Sequence, residues 1–483
     1  MKTLIHCSMA VFSPRLHVML SVAQEKIDEG HAVVYVDCEG CLPACAPNIL
    51  KKRAICKYCV ARSRKGYHLI RGGVERRKIS DYLDPQQIEA LEHSKDDFRS
   101  IEELRAVEYH GADVGYAALS SYVFTSREIT PDLSRDDIRA ALQRLINTGK
   151  IVWEAYARIL RVERPDRVAL FNGRLAADRA VLRACREAGV DCDVYEVTRK
   201  DDCVTVFHNA LPHDIAYNVR RNEELWESAP PSRVEVAESF YEDRRKGRFT
   251  NDTVYTDQQA AGKMPSGWDR SRKHIVIFNS SEDEFVAIGP EWEQNVYPSQ
   301  VAGIARIAED LADGENVQVV LRIHPNLKDV DKAHVHALEA LADRFPNLLV
   351  IPAASDVCSY ALLDHADTVV TFGSTMGLEA VYWGKPSVLV GNCFHKPLGA
   401  TYNPESHEEV VRLLRRDLEP KDRTPALVFA YAKMRSGFKQ PYYEGDRREG
   451  CSRGYSFRGD RIRVGGLTRM RYKLVKSWRS TRI

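Results

Sequence analysis

Val317-Gln318-Val319-Val320-Leu321-Arg322-Ile323-His324-Pro325-Asn326 is followed further along by Ala366-Asp367-Thr368-Val369-Val370-Thr371-Phe372-Gly373-Ser374-Thr375-Met376-Gly377-Leu378-Glu379-Ala380, then Gly384-Lys385-Pro386-Ser387-Val388-Leu389. An apolar β-branched run, a Gly-Ser-Thr turn, an amphipathic helix and a second apolar run make one β–loop–α–β unit. The turn opens a helix, so Ser374, Thr375 and the N–H groups there face a partial positive charge. Such a turn suits a phosphate or diphosphate. Glu379, four residues after Thr375 on the same helix face, is expected within reach of a ribose hydroxyl. His324, at the carboxyl end of a neighbouring parallel strand, is expected to point into the same crevice. The predicted ligand is a nucleotide.

A His-Pro dipeptide after a strand, then Gly-Ser-Thr…Glu-Ala before Gly-Lys-Pro, resembles the nucleotide-binding domain of GT-B glycosyltransferases. The likeness is to capsule and surface-polysaccharide (including lipopolysaccharide) biosynthesis enzymes of the Kdo- and sialyltransferase type. It takes in Phe278-Asn279-Ser280-Ser281-Glu282-Asp283-Glu284-Phe285 and Gln300, and covers roughly residues 275–392. The resemblance implies that His324, Ser374 and Thr375 hold the phosphate of a nucleotide-sugar donor, CMP-linked in that family. It implies that Ser280, Ser281 and Arg322 border the same site, and that Glu379 is the ribose-binding carboxylate. The fold class implied is α/β, GT-B, with two Rossmann-like domains facing a cleft. The reaction implied is an inverting transfer of a sugar to a surface glycan or lipid-linked acceptor. The competing readings are a nucleotide-sugar epimerase of the UDP-N-acetylglucosamine 2-epimerase type and a non-catalytic GT-B module in polysaccharide assembly.

At 483 residues the chain exceeds one usual core, so two domains are expected. The expected division is 1–250, a linker over 251–272 rich in Gly, Pro, Asp and Ser, a second domain over 273–418, and a crossover and tail over 419–483. Strands are predicted at 3–7, 32–37, 168–171, 193–197 and 273–279. Helices are predicted at 16–29 and 176–188, with Gly30 and Gly189 ending them, and 85–160 reads as mostly helical. Alternating strands and helices argue for a parallel doubly wound sheet. No run of about 18 apolar residues occurs, and residues 2–20 read as strand and helix rather than a signal peptide. A cytoplasmic enzyme is expected.

Five of the twelve cysteines fall in the insertion 38–65, as Cys38, Cys41, Cys45, Cys56 and Cys59. Two close pairs separated by a loop resemble a tetrahedral four-thiolate zinc site. Cys45, Cys56 and Cys59 are the firmest ligands, with Cys38 or Cys41 as the fourth. A structural zinc is the expected cofactor. An iron–sulfur cluster fits the same ligands, although nothing else in the chain points to redox chemistry.

Asn172-Gly173-Arg174 ends one predicted strand of the first domain, and Glu196 ends the next. Both ends should open on one edge of the sheet, toward the interdomain cleft. An inverting transfer needs a base for the acceptor proton. Glu196 is the first candidate, with Asp37 or Glu39 next. Asn172 and Arg174 are expected to orient acceptor hydroxyls or a donor carboxylate; alternatively Asn172 only turns the chain and Arg174 pairs with Asp178.

Residues 431–483 hold 15 Lys+Arg against 4 Asp+Glu, so the basic surplus is confined to the tail. Leu467, Met470, Leu474, Val475 and Trp478 recur at helical spacing among Arg469, Arg471, Lys473, Lys476 and Arg479. A basic amphipathic helix of this kind reads as a membrane-surface element on the inner leaflet. No recognisable nucleic-acid-binding module is present.

Overall fold

The structure is a computed structural model that describes the chain except residues 201, 249, 251–253, 313–315, 447–453 and 478–483. It divides into two compact units, Met1–Pro212 with Gly437–Ile483, and His213–Ser436.

The first unit is built on six strands, β1 (Lys2–His6), β2 (Ala32–Asp37), β3 (Val74–Lys78), β4 (Arg167–Phe171), β5 (Asp191–Val197) and β6 (Cys203–His208). Their order is β6-β5-β4-β1-β2-β3, and the short strand Phe438–Lys439 lies outside β6. β1 to β5 run parallel, whereas β6 turns back antiparallel on β5. The central strands are almost unbroken apolar runs because helices cover both faces of such a sheet. β3 (Val-Glu-Arg-Arg-Lys) is charged, as suits an exposed edge. The helix Ala176–Ala188 ends at Gly189, whose φ of 65° lies in the left-handed region that favours glycine.

The second unit carries β7 (Lys273–Phe278), β8 (Val317–Arg322), β9 (Leu348–Ile351), β10 (Thr368–Thr371) and β11 (Ser387–Leu389), in the order β11-β10-β7-β8-β9. All pairings are parallel. Ile277, Ile304, Leu321, Phe372 and Val388 belong to the core on one face of this sheet; Val276, Val320, Leu362 and Val369 belong to the core on the other.

The expected α/β class and paired Rossmann-like sheets are present, but the division differs from the predicted one. The helices Ile215–Glu227 and Arg233–Arg245 belong to the second unit. Phe240 and Tyr241 are buried there with Leu378, Ala426 and Phe429, the last two from the helix Thr424–Arg435. The predicted linker is also part of that unit: Met264 and Trp268 pack on its core, and the Trp268 ring stacks on His274 at 3.8 Å. Its residues 251–253 lie outside the described residues. The chain rejoins the first unit at Gly437, later than the predicted crossover.

Candidate functional site

In both sheets the strand order reverses beside the first strand, between β10 and β7 in one and between β4 and β1 in the other. Loops leaving the carboxyl ends on either side of such a point diverge and leave a crevice, the usual ligand position in open α/β sheets. The predicted residues fall at these two places.

In the second unit Thr371 of β10 pairs with Phe278 of β7, and Phe278 pairs with Arg322 of β8. The three following loops, Gly373-Ser374-Thr375, Asn279-Ser280-Ser281 and His324-Pro325-Asn326, are therefore adjacent. The Asn279 side chain accepts the His324 backbone N–H at 2.8 Å, and the Gln300 side chain accepts that of Ser280 at 2.9 Å. His324 is half-buried, and its Nδ1 accepts the Asn326 N–H at 3.1 Å. In the neutral ring this places the proton on Nε2, making it a donor. Asn326 in turn donates to Ser281 Oγ at 3.0 Å and to Glu284 at 2.8 Å.

Gly373 has φ 122°, and a Cβ there would stand 3.4 Å from Cys393 Cβ and 3.7 Å from Ser280 Oγ. Ser280 is 7% exposed, and its hydroxyl is buried with no hydrogen-bond partner among the described residues. A buried hydroxyl left unpaired costs stability unless a ligand or water satisfies it. Gly377 allows its helix to close on β10, since a Cβ would meet Thr371 Oγ1 at 2.9 Å. Glu282, overlooked in the sequence as a titrating group, is buried, and burial with some help from Asp283 pushes its carboxyl up to about 7.

Two predicted members of this site have other work. Glu379 is fully buried; its carboxylate accepts from Arg244 Nε at 3.1 Å and from the Tyr360 hydroxyl. Both carboxylate oxygens are thus engaged within the protein. Arg322 is 2% exposed and donates to the carbonyls of Ile323, Pro352 and Ser355. Burial lowers its pKa to about 10. Its role is to tie the β8 and β9 ends together. The sequence expectation for Glu379 rests on spacing and the resemblance, and that for Arg322 on the resemblance, and neither tells which side of the loop a side chain takes.

In the first unit Asn172, with φ 67°, turns the chain after β4 and donates to Glu196 Oε2 at 2.5 Å. Glu196 ends β5 half-buried, and burial, only partly offset by Asn172, raises its pKa. The Arg174 guanidinium lies 5.8 Å from the centre of the Phe124 ring. Asp178, the alternative partner of Arg174, is fully buried and bound instead by Arg15 at 2.6 Å and Ser8 at 3.3 Å, with His6 Nε2 at 3.5 Å. Burial would raise the Asp178 pKa, but Arg15 and His6 outweigh it and hold it low. His6 Nδ1 also meets the Tyr156 hydroxyl at 2.6 Å. This buried polar group escaped prediction, although polar His6 and Arg15 inside an apolar stretch were a signal. Asp37, 2% exposed, accepts from Ser63 at 3.0 Å and Arg76 at 2.7 Å. Burial raises its pKa. Arg64, together with Arg76, holds the Glu39 carboxyl down at about 2. Both acids are thus engaged, which leaves Glu196 the stronger candidate base.

Cys38, Cys45, Cys56 and Cys59 line one cavity, and Cys41 is not part of its wall. All five are free thiols. Among the described residues no three His, Cys, Asp or Glu side chains come together so as to hold a single metal ion.

Residues 252–436, less than half of the chain, match the family model described as capsule polysaccharide biosynthesis protein. The match spans most of the second unit, including all three loops. No curated protein matches the chain by sequence. Among solved structures, KpsC of Thermosulfurimonas dismutans, titled a beta Kdo 2,4 transferase, is similar at 16% identity. That likeness covers 56% of this chain and 80% of that one, with a TM-score of 0.36. UDP-GlcNAc 2-epimerase of Neisseria meningitidis, bound to UDP-GlcNAc, is similar at 11% identity over 89% of this chain and 97% of that one, with a TM-score of 0.29. The spinosyn rhamnosyltransferase SpnG is 11% identical over 90% of this chain and 96% of that one, with a TM-score of 0.29.

Proposed function

We infer that the chain is a glycosyltransferase of capsule polysaccharide assembly, working from a nucleotide-sugar donor. The observation that carries this is the convergence of the His324, Ser280 and Ser374 loops at the strand-order reversal of the unit that matches the capsule family. There the Nε2–H of neutral His324, the Ser280, Ser374 and Thr375 hydroxyls and nearby backbone N–H groups supply donors for a phosphate. Donors of this kind stabilise the charge that grows on the leaving nucleotide as the bond to the sugar breaks. The acceptor hydroxyl attacks the anomeric carbon, and ionised Glu196, oriented by Asn172, takes its proton. The proposed stereochemistry is inversion, and the proposed donor is CMP-linked.

His324→Ala should weaken binding of the nucleotide-sugar by about 1–3 kcal/mol, the scale for losing a hydrogen bond to a charged group. Calorimetric titration of a CMP- and UDP-sugar panel reads this directly. Unchanged affinity in the folded variant would remove His324 from the site.

The tail supports a further part of the proposal, peripheral attachment to the inner leaflet. Among the described residues no helix is long and apolar enough to cross a membrane. The helix Gly466–Ser477 packs on the helix Arg53–Tyr67 through stacked Tyr472 and Tyr58 rings at 4.1 Å. Leu467, Met470 and Leu474 remain 65%, 53% and 61% exposed among basic residues. Trp478 and Arg479 lie outside the described residues. Exposed apolar side chains within a cationic surface suit anionic lipid. A Leu467→Ser/Met470→Ser protein should bind anionic vesicles less tightly than wild type, and added salt should weaken wild-type binding. Equal binding by both proteins would exclude this helix as the anchor.

A further inference from the structure

The four cysteines that share a cavity come from three places at the carboxyl edge of the first sheet. Cys38 directly follows β2, Cys45 precedes the turn Ala46–Asn48, and Cys56 and Cys59 lie one helical turn apart in the helix Arg53–Tyr67. Most of the remaining wall is apolar, with Met9, Leu42, Ile55 and Val60 in it. This void is partly open, and its four half-buried thiols supply its soft donor atoms.

The surrounding chain is shaped around this void. Met9, Glu39 and Lys51 take positive φ values of 57°, 44° and 51°. Such conformations persist only where neighbours impose them. The Asn48 side chain accepts the Lys52 N–H at 2.7 Å, donates to the Lys52 carbonyl at 3.1 Å and donates to Cys56 Sγ at 3.1 Å. Lys51 Nζ donates to the carbonyls of Gly40 and Leu42. An amide donor to sulfur and a lysine head in the wall are what a negatively charged thiolate group requires around it.

We propose that Cys38, Cys45, Cys56 and Cys59 hold an iron–sulfur cluster that fixes the loop after β2. A single zinc would need all four sulfurs at about 2.3 Å from one centre, and no three such ligands converge in that way among the described residues. In a four-iron cluster each thiolate binds its own iron across a shared space, and these four thiols line one shared cavity. On assembly each thiol loses its proton and gives a lone pair to one iron. Iron and sulfide are the co-reactants, and the cysteines are not oxidised. The cluster is structural: the same loop carries Glu39 and follows Asp37 at the end of β2, so its loss should loosen the edge of the first unit's site. This assignment does not rest on the glycosyltransferase reading.

The test is metal and sulfide analysis of the full chain, purified without oxygen or reconstituted with ferric iron, sulfide and a thiol reductant. Iron and acid-labile sulfide are expected in equal amounts, about four of each per chain, with broad visible absorption that bleaches on reduction. Cys56→Ser and Cys59→Ser should lose most of both, whereas Cys41→Ser should retain them. Circular dichroism and the cooperativity of thermal unfolding in each variant report whether the protein is folded. If the serine variants do not fold, the wild-type iron and sulfide content decides alone. Zinc without sulfide, neither metal in folded protein, or loss in Cys41→Ser with retention in Cys38→Ser would each overturn the assignment.

Discussion

Glu196→Gln should lower turnover by roughly 10²–10⁴-fold and leave donor affinity nearly intact. The amide keeps the shape of the side chain but cannot take the acceptor proton at neutral pH. The raised pKa of Glu196, caused chiefly by burial, also sets a pH dependence. The base acts only when ionised, so kcat/KM should fall as pH drops through a value above the ordinary glutamate range. Glu196→Gln should abolish that acid limb. A variant with wild-type turnover would place the base elsewhere, and Asp37, at the end of β2, would be the next residue to change.

Replacing Glu379 should cost stability before it costs binding. Glu379→Ala leaves Arg244 and Tyr360 without their buried acceptor. Removing one member of a buried ion pair typically costs about 3–5 kcal/mol, because the remaining charge stays desolvated. Denaturant unfolding of the variant should show a loss of that size. The ribose-binding role expected from the sequence predicts the opposite pattern, weakened nucleotide affinity at unchanged stability. Glu379→Gln, which keeps an acceptor but not the charge, should fall between the alanine variant and the wild type.

The contrast between Glu379 and His324 shows what sequence can and cannot convey here. Most strands of both sheets were legible because buried parallel strands are continuous apolar runs, although β9 was not among them; β2 and the helix Ala176–Ala188 fall at the predicted residues. β3 was not legible, since its charged edge sequence carries no such pattern. β6 escaped because an antiparallel return strand breaks the strand–helix alternation used to find the others. The loops at His324, Ser374 and Asn172 were legible from their place after strands, and topology then puts Ser374 and Asn172 beside the reversal points and His324 one strand further on. The inward turn of Glu379 and Arg322 depends on Arg244, Tyr360 and the carbonyls after β9, partners distant in sequence. The domain boundary was missed for the same reason: Phe240 and Tyr241 find their apolar partners in a helix near residue 430. The shared cavity of four cysteines, with Cys41 left out, is likewise a property of packing rather than spacing.

Glycosyl transfer is measured by incubating the 483-residue chain with a labelled nucleotide-sugar and a capsular glycan primer, following free nucleotide, primer-bound sugar and the sugar-nucleotide itself. A glycosyltransferase predicts nucleotide release that depends on the primer and matches the sugar gained by it, abolished by His324→Ala with Ser280→Ala. An epimerised sugar-nucleotide formed without primer, or a bound sugar-nucleotide that stays unchanged with every primer supplied, would contradict it.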